Sequence, residues 1–172
     1  SLAIEIAKGN TTFLGHYHVP KSRRVLYIDG ELPLAELKVR MRNLCSAPPE
    51  NLLLISSEQL FRNDERLNIH DEACQQKIDQ MLSSLEKQDR RPELIIIDSL
   101  STLSSGVDEN DNTALEQLLK WFMELRHQKY SVLMLHHAGK SGEQRGASRR
   151  EDYLDTSIKL DSPNTDTPHE GA

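Results

Sequence analysis

Hydrophobic positions fall into four short continuous runs, residues 25–28, 52–55, 94–97 and 132–135, each rich in leucine or β-branched side chains. Runs of this length without polar alternation suit strands buried on both faces, as in a parallel sheet. A weaker run at 156–160 is read as a fifth strand. Between the runs the apolar spacing changes to a helical one. Leu34, Leu37, Met41 and Leu44 form one stripe, which starts after Pro33 and is stopped by Pro48 and Pro49. Cys74, Ile78, Met81, Leu82 and Leu85 form a second, within about 70–88. Leu115, Leu118, Leu119, Phe122 and Leu125 form a third within about 113–128, where Thr113 and Glu116 match a capping box. Residues 1–8 read as the inside of a helix. Strands alternating with amphipathic helices predict a three-layer α/β/α architecture with a mainly parallel central sheet, and residues 1–160 are expected to form it. Residues 161–172 are polar, contain two prolines and lack periodicity, so they are read as a tail.

Two polar stretches interrupt this pattern directly after apolar runs. Residues 99–112 are rich in serine and acids, and residues 138–150 hold three glycines with Lys140, Arg145, Arg149 and Arg150. Loops at the carboxyl ends of strands are where open α/β sheets bind ligands. The 172 residues suffice for one domain with its own core. No apolar run approaches the roughly 20 residues of a spanning helix, and the first residues lack a signal peptide's basic start. Cys45 and Cys74 are too few for a disulfide framework and are expected as reduced core thiols of a cytoplasmic protein. The net charge of −6 argues against coating nucleic acid through overall charge but does not exclude a local basic loop, and Lys140, Arg145, Arg149 and Arg150 form such a cluster.

Chemistry-bearing residues stand at the ends of three runs. Asp98 closes the run 94–97 and is followed by Ser99; a carboxylate delivered by a buried strand suits Mg²⁺ held beside phosphates. Asp29, Gly30 and Glu31 follow the run 25–28. The Asp-Gly pair lets the chain leave the sheet and expose Glu31, which suits orienting or deprotonating an attacking water. His136 and His137 follow the last run. A polar group there suits sensing a phosphate, whereas neighbouring strand residues point to opposite faces and do not make one zinc site. His16 and His18 are read as lying in a solvated loop.

The segments VLYIDGELPLAELKVRM, PELIIIDSLSTLSSGVDENDN, VLMLHHAGK and QRGASRREDYLDTSIKL occur in the order and spacing of RecA-like ATPases of the RepA type, the hexameric helicases of plasmids and phages, and the chain resembles that family over nearly its whole length. The resemblance implies ATP and Mg²⁺ as cofactors, Asp98 as the Walker B aspartate and metal holder, Glu31 as the catalytic glutamate and His137 as the γ-phosphate sensor. It also implies that Asp98, Ser99 and His137 line the nucleotide. Residues 99–112 and 138–150 would face single-stranded DNA in a ring, most simply a hexamer, with Lys140, Arg145, Arg149 and Arg150 on its phosphates. The family carries a phosphate-binding loop ahead of the helix that residues 1–8 resemble, and a further strand with a basic residue after the stretch resembling 169–172. No G-x-x-x-x-G-K-S/T occurs in the chain, so these residues alone are expected to bind ATP weakly or not at all. Two other classes stay open: a RecA-like interaction module that does not bind nucleotide, and a metal-dependent hydrolase using Glu31, Asp98 and His137 as ligands.

Overall fold

The computed structural model describes residues 1–104, 112–137, 153–158 and 160. Four strands, β3 (Val25–Asp29), β4 (Leu52–Ser56), β5 (Leu94–Asp98) and β6 (Ser131–Met134), form a sheet of order β4-β3-β5-β6. Every neighbouring pair is parallel. This is the mixed α/β architecture expected from the continuous apolar runs.

Period-two alternation divides the strands between two cores. Leu26 and Ile28 of β3 join Ile95 and Ile97 of β5 in the larger cluster, where Ile78 and Leu82 lie on α4 (Glu72–Lys87) and Leu118, Trp121 and Leu125 lie on α5 (Asn112–His127). The indole N–H of Trp121 donates to Asp79 Oδ1 at 3.1 Å, tying these two helices together. Val25 and Ile96 face the other way, against Ala3 and Ala7 of α1 (Leu2–Lys8), with Tyr27, Leu94 and Leu133 packed beside them. Each fully buried aliphatic side chain contributes roughly 1.5–3 kcal/mol, so the helices are held chiefly by these two faces. Helix α1 stops at Gly9, whose φ of 63° suits glycine, and a Cβ there would lie 1.9 Å from Ser22 N. The carboxylate of Asp71 caps α4 by accepting the Ala73 N–H at 3.0 Å. Cys45 and Cys74 are buried free thiols, as expected.

Several elements depart from the sequence expectation. Residues 156–158 and 160 form no strand, and Ile158 and Leu160 are 77% and 92% exposed. With only these two apolar residues the run has little to bury. His16 lies in the exposed turn of an antiparallel hairpin, β1 (Thr11–Phe13) with β2 (Tyr17–Val19), as expected of a solvated loop, whereas His18 is an exposed residue of β2 itself. A short helix, α3 (Ser57–Phe61), follows β4 directly. The stripe of α2 (Leu34–Leu44) is covered only in part: Leu37 is buried while Leu44 is 46% exposed. This helix leads from β3 to the edge strand β4, where little sheet remains to cover it. Helix α5 begins at Asn112, ahead of the expected cap Thr113. Among the described residues no helix is long and apolar enough to cross a membrane.

Candidate active site

Because all four strands are parallel, their carboxyl ends share one edge, and the three residues singled out from the sequence lie there. Asp98 is the last residue of β5, Glu31 follows β3 by two positions and His137 follows β6 by three. The structure joins two of them directly: His137 Nε2 is 3.1 Å from Glu31 Oε2, with both side chains open to solvent. Beyond β6 the backbone stays tied to β5, since the Leu135 N–H donates to Ile97 O at 2.9 Å and the Leu100 N–H to Leu135 O at 2.8 Å.

Asp29, read from the sequence only as part of a turn, is a central member of the site. It is 1% exposed and lies in register with Asp98 on one side and Ser56 on the other, so the three share the face covered by α1. Its Oδ2 accepts the Leu32 N–H at 3.2 Å, which holds the turn that carries Glu31. Its Oδ1 is buried without a hydrogen-bond partner, as is Ser56 Oγ. Burial pushes the carboxyl up to about 6 from an ordinary 3.8; the Leu32 N–H opposes this, and the like charges of Asp98 and Glu31 add to it.

Tyr27 is a second member that the sequence reading does not include. Its phenol donates a hydrogen bond to Asp98 Oδ2. Burial, followed by that bond and the Asp98 charge, raises its pKa well above the usual value, so the group remains a proton donor. The signal in the sequence is period two: Val25, Tyr27 and Asp29 alternate onto the same face as Leu94, Ile96 and Asp98.

The turn after Asp98 presses against the turn after Asp29. The Gly30 N–H donates to Asp98 O at 2.6 Å, and a Cβ on Gly30 would come within 2.5 Å of Leu103 and 2.8 Å of Thr102 Oγ1. The start of the polar stretch 99–112 is therefore anchored, with Leu100 and Leu103 buried in the larger core. Ser99, expected at the nucleotide, is 1% exposed and its hydroxyl engages Ser101 and Thr102 within this turn at 3.0 and 3.1 Å. The peptide bond between Asp98 and Ser99 is cis. Downstream of Glu31, the Leu34 N–H at the start of α2 donates to the Glu58 carboxylate, which Arg62 also grips. These contacts hold Glu58 below the usual carboxylate range, the Leu34 N–H first and Arg62 second. Pro33 offers no side-chain cap, and Glu58 from α3 takes that place.

The residues fit Mg²⁺ better than a metal caged by protein. Among the described residues no three His, Cys, Asp or Glu side chains gather to hold a metal ion, so the ligand set Glu31, Asp98 and His137 is not formed. Mg²⁺ keeps most of its waters and needs one or two carboxylates. Asp98, with the unpartnered Oδ1 of Asp29 beside it, supplies hard oxygens of that kind. Lys140, Arg145, Arg149 and Arg150 lie outside the described residues.

The family model described as AAA domain matches residues 1–143 of the chain. No curated protein matches it.

Proposed function

The chain belongs to the AAA domain family, an ATPase-type module, and on that premise we propose that it is the central part of a RecA/RepA-like motor coupling ATP hydrolysis to binding or translocation of single-stranded DNA. The observation that carries the proposal is the meeting of Glu31 and His137, from separate strands, at the edge where Asp98 ends β5. A carboxylate base, a cation holder and a polar group able to touch a terminal phosphate are the parts that water attack on a phosphoanhydride requires.

In this reading Glu31 orients and deprotonates the attacking water, exposed on a turn whose position Asp29 and Gly30 fix. Asp98 would hold Mg²⁺, which when bound would supply neutralisation of the phosphate charge. His137 accepts or donates a hydrogen bond at the terminal phosphate. The imidazole rests on Glu31, so a phosphate that draws His137 away also frees the base. The polar stretch 138–150 begins immediately after His137, which gives phosphate loss a short covalent route to Lys140, Arg145, Arg149 and Arg150. In a ring of identical subunits, most simply six, those basic residues would line a common channel and their weak phosphate contacts would add.

The test is Mg²⁺-dependent ATP hydrolysis by the intact protein, with and without single-stranded DNA. The proposal expects hydrolysis that is lost in EDTA and stimulated by the strand. A protein that binds partners but neither binds nor hydrolyses nucleotide would establish the interaction-module reading in its place.

A further inference from the structure

We propose that Tyr27 is a positioning residue for the cation site: its hydroxyl fixes the carboxylate of Asp98 and leaves Oδ1 free for the water shell of the metal. The inference deepens the reading of Asp98 as cation holder and rests on it. The starting point is the hydrogen bond from the Tyr27 phenol to Asp98 Oδ2. An aspartate carboxyl rotates through a broad torsional range, so one at a strand end needs a partner to keep a single orientation. Its surroundings work against that orientation, because Asp29 lies in register beside it, 1% exposed and with Oδ1 unpartnered. Two neighbouring carboxylates in a poorly solvated place repel, and the movable partner is Asp98, since Asp29 is pinned by the Leu32 N–H.

Tyr27 can resist this because its own position does not depend on Asp98. The ring packs in the cluster of Ala3, Ala7, Val25 and Ile96, on a strand bonded to neighbours on both sides. The phenol is thus a fixed donor carried by apolar packing, and it takes one carboxylate oxygen. Groups that orient a metal-holding side chain in this way commonly govern affinity by ten- to a hundredfold. The phenol's hydrogen bond goes to Asp98 and not to Glu31 or His137, so its loss should leave the water-attack step intact once the cation is bound.

The experiment compares wild type with Tyr27→Phe in the intact protein. Mn²⁺ affinity is read by electron paramagnetic resonance with a non-hydrolysable ATP analogue, and hydrolysis is followed across Mg²⁺ concentrations. The expected result is an affinity for Mn²⁺ weakened about tenfold and a half-saturating Mg²⁺ raised about tenfold. Turnover at saturating Mg²⁺ should stay within about twofold of wild type. Wild type that binds Mn²⁺ while Tyr27→Phe binds it equally well overturns the inference alone. So does a variant whose turnover falls at every Mg²⁺ concentration without a change in half-saturation. Wild type that holds no Mn²⁺ with nucleotide present overturns the proposed function and this inference together. If Tyr27→Phe does not fold, wild type labelled with ¹³C at the tyrosine ζ carbon gives the answer. A Tyr27 signal that shifts when Mg²⁺ and the analogue bind supports the inference, and one that does not move overturns it.

Discussion

Asp29 is buried in the sheet with one oxygen on the Leu32 N–H and the other left unpaired. Its folded pKa of about 6 lies above the ordinary 3.8, so the folded chain binds the proton more tightly than the unfolded one. The contribution to stability is therefore complete below the unfolded value and is lost as pH rises through about 6. Asp29→Asn keeps an acceptor for the Leu32 N–H and carries no charge. Without divalent cations it should be more stable than wild type near neutral pH, by up to about 3 kcal/mol, with the advantage vanishing near pH 4. Denaturant midpoints of both proteins at the two pH values check this, and parallel curves would contradict it. The place of Glu31, Asp98 and His137 at the carboxyl edge was legible because each stands within three residues of the end of an apolar run. Asp29 was not, since an Asp-Gly pair after a strand is ordinary turn chemistry, and its burial depends on which strands flank it. Tyr27 was hidden for the same reason: its partner is distant in sequence and is set by register alone.

At the scale of elements, the turns that leave β3 and β5 interlock at the carboxyl edge. Gly30 sits where the turn after β3 meets the turn after β5, with room for a hydrogen atom and little else. Gly30→Ala should cost roughly 1–3 kcal/mol by overpacking against Leu103. It should also displace Glu31, lowering turnover more than nucleotide affinity; a variant with unchanged thermal midpoint and turnover would contradict this. In the core, Leu118→Ala removes a side chain 1% exposed on α5 and should cost roughly 2–5 kcal/mol in denaturant unfolding. The helices facing the sheet were legible from their stripes because tertiary burial and periodicity agree there. They disagree for α2, whose Val39 and Leu44 are 52% and 46% exposed at the sheet margin. The hairpin β1-β2 is too short to show a period, and the run at 156–160 has an apolar spacing that no neighbour covers at Ile158 and Leu160.

At the scale of the whole molecule, an acidic chain with net charge −6 must concentrate any attraction for DNA in a small region. Replacing Arg145, Arg149 and Arg150 together by alanine in the intact protein should weaken single-strand binding and flatten its salt dependence, by about 0.7 in the log–log slope for each phosphate that is no longer neutralised. Unchanged affinity and slope would place DNA elsewhere or nowhere. Under the proposed function the carboxyl edge hydrolyses a nucleotide through Glu31, and one substitution isolates that role. Glu31→Gln preserves size and the turn but leaves a poor base and a weaker acceptor for water. Turnover and nucleotide affinity of Glu31→Gln are to be measured side by side in the intact protein at saturating Mg²⁺. Turnover should fall by roughly 10²–10⁴-fold while affinity stays within about threefold of wild type. A variant that hydrolyses ATP at close to the original rate would remove Glu31 from the chemistry.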